Sequence, residues 1–144
     1  MIEQDTIRLL RECDAGVKMG VDAIEQVLPH AKTDELRRCL AESKTEHEAL
    51  DRRLQALLDR YHDEGKELNP MVKGMGWLKT NAKLAMDDGD ATVADLITDG
   101  CNMGVKSLRK YLNQYKAADE DSKNVAKDLI ELEERLTVKM RSYL

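Results

Sequence analysis

Apolar residues recur along this chain in steps of three and four, the spacing that lines one face of an α-helix. One stripe runs Leu36, Leu40, Ser43, His47, Leu50, Leu54, Leu57 and Tyr61. A second runs Ile97, Cys101, Gly104, Leu108, Tyr111 and Tyr115, and a third Val125, Leu129, Leu132, Leu136, Met140 and Tyr143. Punctuation between the stripes predicts five helical segments. Segment A runs from about Glu3 to Leu28, where Pro29 removes a backbone donor. Segment B opens at Thr33, an N-cap residue followed by Asp34 and Glu35, and runs to about Asp63 before Gly65. Segment X opens at Asn69-Pro70, carries the weaker stripe Met71, Met75, Leu78, Ala82 and Ala85, and stops at Asp87-Asp88-Gly89. Segment C runs from about Asp90 to Lys116, and segment D follows the turn Asp119–Ser122 to the C-terminus.

Helices of about 26 residues are about 40 Å long. Joined by short loops at A–B and C–D, they should form two antiparallel hairpins. The stretch between B and C then becomes a crossover that carries helix X. The expected fold is an all-α, up-down four-helix bundle occupying residues 1–144 as a single domain, with one extra crossover helix.

The two hairpins repeat. At an offset of 84, Gly16, Met19, Gly20, Val21 and Leu28 meet Gly100, Met103, Gly104, Val105 and Leu112. The stripes of B and D superpose at an offset of 89, which points to a pseudo-twofold relation. The offset of 84 sets Ile97 over Cys13, so Cys13 should face inward and Asp14 should lie at the edge. Gly inside a helix costs about 1 kcal/mol relative to Ala, so four of them require a reason. Gly-x-x-x-Gly presents bare backbone on one helix face and permits close approach of another helix. A and C are therefore expected to cross, antiparallel, at Gly16, Gly20, Gly100 and Gly104, with Met19 and Met103 beside the contact. Large side chains at Gly16 or Gly104 should then be costly.

Composition narrows the function classes. There are 23 Lys and Arg against 28 Asp and Glu, a net charge of −5, which disfavours non-specific nucleic-acid binding. No run of uncharged residues exceeds six, so no transmembrane helix is expected, and the N-terminus lacks a secretory pattern. Cys13, Cys39 and Cys101 lack zinc or disulfide spacing and read as reduced thiols of a cytoplasmic protein. Long bundles often bury a side face, so a homodimer or another protein partner is expected. The Asp87-Asp88-Gly89-Asp90 run lacks the ligand spacing of a calcium loop and reads as a helix stop and a cap. Trp77, with Gly74 and Gly76, is the docking point expected for helix X, or else a partner surface.

Hairpin, crossover, hairpin with internal twofold similarity resembles the ferritin-like bundle. The motifs are similar to those of a small uncharacterised family of bacterial ferritin-like proteins. They comprise Met19-Gly20-Val21, then Ala94, Ile97, Gly100, Met103 and Gly104, then Leu129, Glu133, Glu134 and Leu144. The resemblance implies a fold and a structural or interaction role, stress- or sporulation-associated. It implies no cofactor. The di-iron centre of that fold needs Glu-x-x-His on two helices, and this chain has none. Only Asp59/His62 approaches the spacing.

No catalytic signature emerges, so the reading is non-catalytic. His47 is the exception worth weighing. It interrupts the stripe of B near its middle, and the expected hairpin register brings it within a turn of Asp14. One reading is a core histidine satisfied by Asp14, Ser43 or water. The other is a remnant metal or redox site at His47 and Asp14, with Glu46 or Glu133 as oxygen ligands. A third function class is a small-molecule binder that uses a gap left by the small residues.

Overall fold

The computed structural model describes residues 2–63 and 88–144. These residues form four long helices: α1 (Ile2–Val27), α2 (Asp34–Arg60), α3 (Asp90–Gln114) and α4 (Glu120–Met140). Short 3-10 turns follow α1 at Leu28–His30 and α4 at Arg141–Tyr143. Segments A, B, C and D thus correspond to α1 to α4 within a few residues. Segment X, with Trp77, Gly74 and Gly76, and the expected cap Gly65 lie outside the described residues.

The helix ends follow local chemistry. Pro29 sits in the 3-10 turn that ends α1. Thr33 holds the N-cap position of α2 but makes no side-chain cap. Its hydroxyl and amide bond instead to Asp90 at the start of α3. Asp119 caps α4 by accepting from the Ser122 amide at 2.9 Å. After α2, His62 takes a left-handed φ of 53° and turns the chain away from the helix.

Contacts at the two ends fix the helix directions. At one end Asp119 donates its amide to Thr6, Tyr61 donates to Asp119, and Arg11 binds Asp63. At the other end His30 meets Asp88, and Lys32 donates its amide to Asp90. The start of α1, the end of α2 and the α3–α4 turn therefore share one end. The end of α1, the start of α2 and the start of α3 share the other. It follows that α1 runs antiparallel to both α2 and α3, whereas α2 and α3 run parallel. The chain leaves α2 at one end and enters α3 at the other. Helix α1 packs on α2 and α3, and α4 packs on α3 and α2. Helices α1 and α4 also touch across the diagonal.

Among the described residues the core falls into two apolar clusters. The first gathers Leu9, Leu10, Cys13, Val17, Leu54, Leu58, Leu108 and Leu129. The second gathers Ile24, Val27, Leu36, Leu40, Val93, Ile97, Cys101, Leu136 and Met140. Most positions of the predicted stripes of B, C and D are buried and the rest half-buried, and Cys13 faces inward. Asp14, expected at the edge, is instead fully buried at 0% exposure. Among the described residues, no helix is long and apolar enough to cross a membrane.

Candidate functional site

Small residues repeat on the facing sides of α1 and α3. Ala15, Gly16, Gly20 and Ala23 come from α1, and Gly100, Gly104 and Ser107 from α3. Bare backbone was expected to let these helices touch. The two helices do pack on each other, yet these small residues also line a groove of about 240 Å³ between them. A Cβ at Gly100 would meet nothing within 4 Å, and one at Gly16 would make only an ordinary 3.6 Å contact with Leu129. Met19 and Met103 stand on the groove's rim, 45% and 63% exposed.

Gly20 and Gly104 have a different task. A Cβ at Gly20 would come within 2.9 Å of the His47 ring, and one at Gly104 would overlap Glu133 Oε2. Each glycine thus vacates the space that one polar side chain occupies. His47 from α2 is 1% exposed and Glu133 from α4 is 6% exposed. Both line the groove. They lie between the two apolar clusters, in a layer that neither cluster includes.

The proton positions follow from the partners. His47 Nδ1 lies 2.8 Å from the Ser43 backbone carbonyl, one turn earlier on α2. A carbonyl only accepts, so Nδ1 carries the proton and donates. Nε2 is then an acceptor when the ring is neutral. It faces Glu133 Oε1 at 3.7 Å, too far for a hydrogen bond. Glu133 Oε2 is buried without any hydrogen-bond partner. Burial pushes the Glu133 carboxyl above the usual range, and the neighbouring imidazole offsets only part of that.

The expected partnership of His47 with Asp14 does not form. Asp14 accepts from Lys18 at 2.8 Å and from Gln55 at 2.9 Å. In this hairpin Gln55 lies level with Asp14 and His47 lies level with Gly20. That is six residues, or about 9 Å, further along α1. The 3-10 turn and the extended residues after it lengthen the α1–α2 corner, which shifts the register from the one expected. Glu46, the other carboxylate considered beside His47, pairs with Arg135 at 3.4 Å. His62 is exposed and stands past the end of α2.

Glu133, weighed above as an oxygen ligand, belongs to the buried face of α4. Along α4 the path Leu129, Glu133, Leu136, Met140 also steps by four, three and four, as faithfully as the path through Leu132. Both Leu132 and Glu133 are buried. The signal that separates an edge Glu from a buried one is a glycine directly opposite, and Gly104 is that glycine.

Several chemistries find little support in this geometry. Among the described residues, no group of three or more His, Cys, Asp and Glu is placed to hold a metal ion. Cys101 also lines the groove, but its thiol is pushed up to about 12. Burial is the main cause, and the Glu133 charge adds to it. Cys13 is likewise pushed up to about 12 by burial, then by Glu12 and Asp14. Neither sulfur is a ready nucleophile at neutral pH. What remains is a concave apolar surface with a few convergent polar atoms, the form of a small-molecule site. Comparison of the chain with protein-family models, curated proteins and solved structures finds no match.

Proposed function

We propose that this chain is a non-catalytic small-molecule-binding protein of ferritin-like organisation, with its ligand held in the groove between α1 and α3. The observation that carries the reading is the division of labour among the glycines. Gly20 and Gly104 make room for a buried polar pair, while Gly100 faces open space and Gly16 leaves room for an ordinary contact with Leu129. An apolar cavity of 150 Å³ in a protein core accepts benzene, so one of about 240 Å³ suits an apolar body of about ten heavy atoms. The rim methionines are flexible and polarizable, and suit a lip that adapts to what enters. The ferritin-like reading draws support from the two antiparallel hairpins, the antiparallel α1–α3 pair and the exit from α2 and entry into α3 at opposite ends. His47 and Glu133 replace the metal-ligand set such a bundle would need.

Thermal melting against a panel of small apolar compounds tests the proposal. A compound at a hundred times its Kd adds about 2.7 kcal/mol. In a chain of this size that raises Tm by several degrees. Gly100→Leu fills open groove space and should abolish the shift while the chain remains folded. A panel that leaves Tm unchanged overturns the reading and returns the protein to the structural or interaction class that its sequence suggests. A shift that survives Gly100→Leu places the binding elsewhere and overturns it too.

A further inference from the structure

The floor of the groove constrains the head group of its ligand, and this inference rests on the binding reading above. Glu133 offers Oε2 with no partner and Oε1 with none closer than the His47 ring at 3.7 Å. His47 has committed its Nδ1 proton to the Ser43 carbonyl, so the neutral ring offers only the Nε2 lone pair. The floor therefore presents acceptors in a row and no donor. A buried carboxylate left unpaired is costly, and a cation that brings its own N–H groups removes that cost. The charges around the groove agree. Its lining includes two carboxylates, Glu12 and Glu133, and among the described residues no Lys or Arg. An anion would meet like charge there, and a neutral alcohol would bring a single donor.

We infer that the groove binds a primary amine as its ammonium ion, with the ammonium on Glu133 and His47 and an apolar body along the glycine-lined walls. The ammonium has three donors and can satisfy Oε2 and Nε2 together. Bond making is hydrogen bonding only. Any proton resting on the His47–Glu133 pair leaves to solvent when the cation arrives.

Acid should weaken the complex. The titratable groups that line the groove with Glu133 are His47 from α2, Cys101 and Tyr111 from α3, and Glu12 from α1. As pH falls, the Glu133 carboxyl, held above its usual range by burial, takes up its proton. That change disfavours a cation, while an alkylammonium keeps its charge.

Titration calorimetry of the full chain with phenethylamine, phenethyl alcohol and phenylacetate decides the matter. At pH 7.5 phenethylamine should bind about tenfold or more tighter than the alcohol, the gain expected of hydrogen bonds to a charged group. Phenylacetate should be the weakest. Glu133→Gln should bring amine and alcohol to within about twofold. Should that variant fail to fold, the wild-type protein still decides. Its affinity for phenethylamine should drop toward pH 5 while that for the alcohol stays flat. Alcohol and amine binding equally, or an amine affinity indifferent to pH, overturns the amine assignment and leaves the apolar-ligand reading standing. Binding of none of the three overturns both.

Discussion

Four glycines with the same sequence signature do two opposite things, and only their neighbours tell them apart. Where a Cβ has open space, Gly costs the helix about 1 kcal/mol relative to Ala for no packing gain. Gly100→Ala and Gly16→Ala should therefore each stabilise the protein by up to about 1 kcal/mol. Gly20→Ala and Gly104→Ala force a methyl into the His47 ring and the Glu133 carboxylate, and should each destabilise by about 1–3 kcal/mol. Urea denaturation of the four variants checks this. Four losses of similar size would restore the picture of helices in backbone contact. The sequence showed that these glycines form a repeated set. It could not show which face a void and which face a side chain, because that depends on the register of α2 and α4 against them. The same limit explains Asp14 and His47. Their separation turns on the length of the corner at residues 28–33, and helical periodicity carries no information about a corner.

At the scale of elements, the helices were legible because their stripes repeat over several turns and Pro29 and Asp119 interrupt them. The caps were less so. Thr33 has the right residue type, yet it is drawn away to Asp90, which ties the α1–α2 corner to the start of α3. Asp119 does more than cap. It accepts from Ser122 and from the Tyr61 hydroxyl at 2.9 Å, joining α4 to the end of α2. Burial alone would raise its carboxyl, but the bonds from Ser122 and Tyr61 outweigh it and hold the group below the ordinary 3.8. A lowered carboxyl contributes stability that is complete above its unfolded value and lost as pH falls through the folded one. Asp119→Ala should cost about 1–2 kcal/mol at neutral pH. The gap between variant and wild type should close on acidification below about 4. A gap that stays constant down to pH 2 would mean that the cap acts by shape and not by charge.

Across the whole molecule, a polar layer parts two hydrophobic clusters. Buried polar groups that lack full hydrogen bonding are often less stabilising than apolar residues of similar size. Replacing His47 alone leaves the Glu133 carboxyl buried with one polar neighbour fewer. His47→Leu should therefore destabilise, by about 2 kcal/mol at neutral pH. His47→Leu with Glu133→Leu should recover that loss and raise stability above wild type by about 1–4 kcal/mol as the clusters merge. Denaturant midpoints of both variants and the double decide it. Losses that simply add would show that the two residues act independently.

The arrangement of the helix ends bears on how the protein would carry force. The first turn of α1 lies beside the start of α4, held there by Thr6 and Asp119. The chain after α4 finishes at the far end, where Tyr143 packs against the second cluster. Residues 2 and 144 thus emerge at opposite poles, about one helix length apart. Tension applied through them runs along the long axis and draws α1 and α4 past each other lengthwise. Interlocked side chains along that seam must then slip together, so the bundle meets a pull as a rope does, by shear along its strands, rather than as a zipper that opens tooth by tooth.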